Sequence, residues 1–435
     1  MHQRVLPFIL LAILVHPCNA QTRVEHFQRV VQPYVDAKMF MGSVLVAKEG
    51  KPVFNRGYGM ADLEWSVPNS PTTRFNIASM TKQFTAAAIL LLEDRGKLKT
   101  DDFVKKYLPD APASWDKITV YHLLTHTSGI SDEAAKYVPG TPDKLDFNDK
   151  PLNFQPGERW AYSNLGYIVL GYLLQRISGQ TYLEFVERNI FKPLGMNDSG
   201  MFSFGTVIPR RASGYWPRNN GIENADHFDA RLGFSAGSLY STTEDLLRWE
   251  NGLFGGRLLS PASLHKMTTP FKSDYGCGLY IKRTNGHLVI EHDGNNIGFN
   301  SQLAYYPEKR IGVIVLANLN GTVTGQIARA LAAVARGETP PIPSIHTEIT
   351  LSKEILARYV GTYQFPRYSL KIVAEDKHLL AEFANGVTFP IFAASETKFF
   401  AKLWPIQFEF STDDHGQWTV LTRHQGNKEE KGFKK

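Results

Sequence analysis

The chain has 435 residues, of which 43% are hydrophobic and 12% aromatic, with a formal charge of +6. That length is too great for one ordinary domain and suits a large catalytic domain with a small companion. The composition excludes a disordered chain, and the scattered Lys and Arg residues describe a solvated surface rather than a nucleic-acid-binding stripe.

The chain opens on an address. Arg4 precedes an apolar stretch at residues 6–15, and Ala20 supplies a small residue before a cut. This is the pattern of a secretory signal peptide over residues 1–20, so export to the periplasm or the exterior is expected. The stretch is too short to span a bilayer, and no later segment is apolar enough for a transmembrane helix. After cleavage Cys277 is the one cysteine left, which excludes an internal disulfide and a cysteine metal cluster.

Next comes a pair of apolar runs around Glu49-Gly50, which predicts a β-hairpin over residues 42–54. Residues 79–98 carry apolar side chains at 84, 87, 88, 91 and 92, with Gly96 near the end, which predicts an amphipathic helix. A second helical pattern covers 164–179. Residues 288–292, 302–306 and 311–318 read as strands. The expected fold is α+β, an antiparallel sheet built from both ends of the domain with a helical region inserted between. Three prolines at 340–343 mark a linker over 338–345 between a catalytic domain at 21–337 and a small domain at 346–435. In that last part, after a short helix at 353–359, seven short strands are predicted between 363 and 422, spaced for a small β-barrel. Residues 428–435 read as a mixed charged tail.

Three motifs carry chemistry. Ser79-Met80-Thr81-Lys82 starts a helix, so Lys82 shares a face with Ser79 one turn on, and the helix N-terminus favours a developing anion. Tyr162-Ser163-Asn164 stands where the second helix begins. A phenol is a poor base at its ordinary pKa, and a neighbouring ammonium would favour its ionised form. Alternatively Lys82 is neutral and takes the Ser79 proton itself; the residues leave both routes open. His292-Asp293-Gly294 ends a β-rich run, where glycine lets a substrate or backbone approach closely. Two decoys exist. Ser263-Leu264-His265-Lys266 is read as a surface coincidence, and His424-Gln425-Gly426 lies in the small domain. His122 and His126 sit one turn apart with no third ligand in view, so no metal and no cofactor are expected.

In order and context these motifs resemble the serine β-lactamase and penicillin-binding protein superfamily, in its class C-like branch with D-aminopeptidases, D-alanyl-D-alanine carboxypeptidases and esterases. Residues 122–129, Pro156-Gly157, 191–196 and 237–242 extend the likeness. The resemblance implies Ser79 as nucleophile, Lys82 and Tyr162 as proton-transfer partners, and Asn164 positioning the substrate. It also implies an oxyanion hole from the N–H groups of Ser79 and Asn295, beside His292, Asp293 and Gly294. The small domain resembles lipocalin-like appendages of such hydrolases. The departure is Asp293, where many members have a threonine that helps hold a substrate carboxylate. The expected activity is a serine hydrolase cleaving an amide or ester of a small molecule or short peptide, with D-amino-acid peptides and β-lactam-related compounds among the candidates. The rivals are a broad carboxylesterase and a catalytically silent binding protein.

Overall fold

The computed structural model describes residues 18–133, 135–137, 145–147, 150–202, 205–218, 221–226, 230–340, 348–383, 388–401, 406–425 and 428–435. The apolar leader stretch and the prolines after 340 lie outside them, as do parts of the segments 130–154 and 200–230.

The predicted hairpin is present as β1 (Gly42–Lys48) and β2 (Lys51–Tyr58). Glu49 and Gly50 both take positive φ, 53° and 76°, which matches the right-handed twist of the strands they join. β3 (Tyr280–Thr284), β4 (His287–Asn296), β5 (Phe299–Tyr306) and β6 (Ile311–Ala317) complete an antiparallel sheet in the order β3-β4-β5-β6-β1-β2. The two ends of the domain meet where β1 pairs with β6, Val44 facing Val315. Side chains alternate between faces, so an apolar strand feeds two cores. Val44, Val46, Val313 and Val315 pack under α1 (Cys18–Asp36) and the helix Thr324–Arg336. Leu45, Ala47, Ile314 and Leu316 face the helical region.

That region is organised around α2 (Thr81–Asp94), two residues shorter than expected at its start because Ala78–Met80 forms a single 3-10 turn. Its amphipathic reading is corrected. Every residue from Thr81 to Leu92 is buried, polar ones included, since α2 is enclosed by other elements rather than laid on a surface. Its polar members bond to their enclosure: Trp249 Nε1 donates to Gln83 Oε1 at 2.6 Å, leaving Gln83 Nε2 unpartnered, and Thr85 Oγ1 donates to the Ser235 carbonyl at 2.6 Å. The surface assignment of Ser263 is also corrected. It is buried on the helix Pro261–Met267, where its hydroxyl donates to Asp94 at 2.7 Å while Lys266 pairs with Glu93 at 2.8 Å. This second Ser-x-x-Lys straps a helix to the end of α2.

Residues 361–434 form a closed eight-stranded antiparallel barrel following the helix Lys353–Arg358. Seven strands fall where the sequence predicts them. The eighth, Lys428–Lys434, is the segment read as a charged tail. It pairs with Trp418–Gln425, and Arg423 meets Glu430 at 3.0 Å across the pair, so the charges line a ladder rather than a loose end. Tyr359, Tyr363, Phe399, Phe408 and Phe410 fill the interior.

Candidate active site

Ser79 is the one residue from 75 through 92 that is not fully buried. It is the middle residue of the 3-10 turn, whose first residue, Ala78, takes a left-handed conformation with φ 49°. Such a φ is strained for a residue with a Cβ, and here it is held from both sides. The Ala78 N–H donates to Asn76 Oδ1 at 2.9 Å, and Asn76 Oδ1 also accepts from Asn296 at 3.3 Å. An N–H in the first turn of a helix has no carbonyl within that turn to meet, so that of Ser79 is left to face a ligand.

Lys82 is completely buried, yet its Nζ lies 3.1 Å from Ser79 Oγ. It donates to Asn164 Oδ1 at 2.8 Å and to the Ala236 carbonyl at 2.8 Å. Burial lowers its pKa from 10.5 to about 7, with the carboxylates of Asp132 and Asp293 opposing the shift. Tyr162 has its ring 4.8 Å from Lys82 Nζ, with the Ser79 hydroxyl close enough to its own to influence its ionisation. Burial raises the phenol well above its ordinary value, and the Ser79 hydroxyl opposes this only in part. Asn164 opens α3 (Asn164–Ser178), capped by Ser163, whose hydroxyl accepts from the Gly166 N–H at 3.1 Å and donates to Asp132 at 2.7 Å.

The two histidines of the early pair are structural. His122 Nδ1 accepts from the Thr119 N–H at 3.2 Å, and His126 Nδ1 accepts from the Ser163 N–H at 3.2 Å. With its ring 4.4 Å from that of Tyr162, His126 fixes the approach of the whole second motif. Among the described residues no three His, Cys, Asp or Glu side chains converge to hold a metal ion.

Gly294 explains how the third motif reaches the first. A Cβ there would stand 2.4 Å from the Ile77 carbonyl oxygen and 2.3 Å from Ser301 Oγ. Only glycine lets β4 press against the turn that carries Ser79. β3 pairs with β4 from His287 to Glu291, so among the described residues no strand lies beyond the segment 292–296 on that side. Its free backbone groups border the cleft, Asn295 among them. The Asn295 side chain is tied back, its Oδ1 accepting from Asn320 at 3.2 Å.

His292 and Asp293 separate. His292 is buried; its Nδ1–H donates to the Asp293 carbonyl at 2.6 Å, leaving Nε2 to accept from the Tyr275 hydroxyl at 3.1 Å. Burial holds the ring well below the usual histidine range, so it is neutral and offers a substrate no cation. Asp293 is exposed, and its charge acts on Lys82, Tyr162, Tyr280 and His292 together. Sequence reasoning missed Asp132, Tyr275, Tyr280 and the Ala236 carbonyl, because no local spacing links them to the motifs.

Comparison with known proteins identifies the family and the fold. Residues 27–337 match the family described as Beta-lactamase, and residues 346–435 match a domain of unknown function, DUF3471. Penicillin-binding protein 4* of Bacillus subtilis is 26% identical over 94% of this chain and 98% of its own length. The octameric penicillin-binding protein homologue of Pyrococcus abyssi superposes with a TM-score of 0.66 at 26% identity, covering 94% of this chain and 99% of its own. D-amino acid amidase of Ochrobactrum anthropi shares the fold, with a TM-score of 0.63 at 23% identity over 73% of this chain and 99% of its own.

Proposed function

Given that the chain belongs to the β-lactamase family of serine hydrolases, we propose that Ser79 carries the acyl group and that Lys82 in its neutral form is the base that activates it. The observation behind this is the hydrogen-bond count at Lys82. A neutral amine has two N–H groups and one lone pair. Two carbonyl oxygens, Asn164 Oδ1 and that of Ala236, take the two hydrogens. The lone pair is left for the third neighbour, Ser79 Oγ at 3.1 Å. With a pKa of about 7, close to half of Lys82 is in that form at neutral pH. Tyr162 stays protonated and bridges Ser79 to the departing group, handing it the proton. The N–H groups of Ser79 and Asn295 stabilise the oxyanion, and water then releases the acyl group.

The substrate class follows from charge. The neutral His292 and the exposed Asp293 provide no partner for a substrate carboxylate, so uncharged esters and amides of small molecules are favoured over β-lactams and free-carboxylate peptides. Export through the leader at residues 1–20 is part of the same proposal. Labelling with an uncharged fluorophosphonate tests it: the wild type should be labelled and Ser79→Ala should not. Equal labelling of the two would end the assignment.

A further inference from the structure

The charges around the cleft do more than discourage a carboxylate. Lys82 is partly neutral at pH 7, and His126 and His292 are both pressed toward neutrality by burial. Among the described residues, a fixed cation nearby, Lys282, is paired with Glu291 at 2.5 Å. Two carboxylates among the described residues act on Lys82, and they differ in freedom. Asp132 is committed to Ser163 and to the Leu165 N–H at 3.0 Å. Asp293 is exposed, and among the described residues its carboxylate meets no hydrogen-bond or ion-pair partner; the Asn296 amide donates to Asn76 instead.

Its position along β4 gives the direction. Asn295, two residues on, borders the oxyanion position, about 7 Å further along the strand. Asp293 adjoins Gly294, which presses on the Ser79 turn, and its charge reaches Tyr162, Lys82 and Tyr280, the groups a leaving group must approach to receive its proton. The Tyr280 ring, with Trp160 6.4 Å away, adds aromatic surface there, and such surface attracts cations.

Resting on the acyl-transfer reading above, we infer that Asp293 selects esters and amides whose leaving group carries a positive charge, an alkylammonium placed a few bonds from the scissile oxygen, nitrogen or sulfur. The acyl group passes to Ser79 Oγ, the bond to the leaving group breaks, and the Ser79 proton travels by way of Lys82 and Tyr162 to the departing atom. The cationic leaving group rests against the Asp293 carboxylate throughout.

Three S-acetyl thioesters test this with one acyl group and one thiol readout. Their leaving groups are thiocholine, its uncharged isostere 3,3-dimethylbutanethiol, and 3-mercaptopropionate. In the wild type, kcat/KM should fall in that order, with cation over isostere on the order of tenfold. Divided by the same ratio for uncatalysed hydrolysis, which removes the greater acidity of thiocholine as a thiol, the ratio should drop to about one in Asp293→Asn, persist in Asp293→Glu, and shrink as salt is raised. A wild-type ratio near one, or a ratio that survives in Asp293→Asn, overturns the inference while leaving the hydrolase intact. If no thioester is cleaved, protection of Ser79 from fluorophosphonate labelling by choline, against 3,3-dimethylbutanol, reads the same preference. Absence of labelling as well would refute the acyl-transfer reading itself, and the inference with it.

Discussion

A lysine buried beside the nucleophile leaves a mark on stability that is independent of any substrate. Free lysine titrates at 10.5, and Lys82 at about 7. Between those values the unfolded chain holds a proton that the folded chain does not, so stability rises with pH. The favourable contribution is complete above 10.5 and is lost as pH falls through 7. Lys82→Met keeps the length and apolar volume of the side chain and removes the titration. Its absolute stability also reflects the orphaned oxygens of Asn164 and Ala236, which cost about 1–3 kcal/mol each. That cost does not vary with pH, so the difference between the two proteins isolates the proton. Relative to Lys82→Met, the wild type should gain about 2 kcal/mol between pH 7 and pH 9. Urea unfolding of both proteins at pH 7, 8 and 9 measures it. Parallel curves would mean that Lys82 is protonated throughout, and the lone-pair argument would then fail.

Other consequences are open to direct measurement. Activity on a neutral ester should rise with pH through about 7 and level off, following deprotonation of Lys82; a flat profile from pH 6 to 8 would contradict it. Lys82→Ala and Tyr162→Phe should be strongly non-additive in kcat, because one proton passes through both, whereas additive losses in the double variant would separate their roles. Gly294→Ala forces β4 away from the Ser79 turn and should cost on the order of 100-fold in kcat; near-normal turnover would show that the contact is not needed. Glu250 is buried, with its carboxyl raised to about 8 by burial and one oxygen unpartnered. Its protonated form is favoured on folding, so stability should fall as pH rises from 4.5 through 8, and Glu250→Gln should remove that loss.

Much of this was legible in the sequence because the signals were local. Period-2 alternation and the Glu49-Gly50 turn set the strands, and the three-residue step placed Lys82 beneath Ser79. What was not legible depended on enclosure. α2 carries polar residues that look like a solvent face, and only the packing of Trp249 and Ser235 around them shows that they are buried. Ser263-x-x-Lys266 repeats the spacing of the first motif exposed to different partners, the carboxylates of Asp94 and Glu93. His292 and Asp293 are neighbours in sequence and opposites in setting, since alternate residues of a strand face opposite ways. The last strand hid behind its charges, whose partners lie on the strand beside it.

The central claim is that an acyl group passes through Ser79. Incubation with a slowly hydrolysed neutral ester, rapid acid quenching and peptide mapping by mass spectrometry locate that group directly. The account predicts one acyl mass on the peptide bearing Ser79, accumulating in the wild type and absent from Ser79→Ala. Turnover with an adduct on Ser263 or any other residue, or turnover that survives intact in Ser79→Ala, would contradict it.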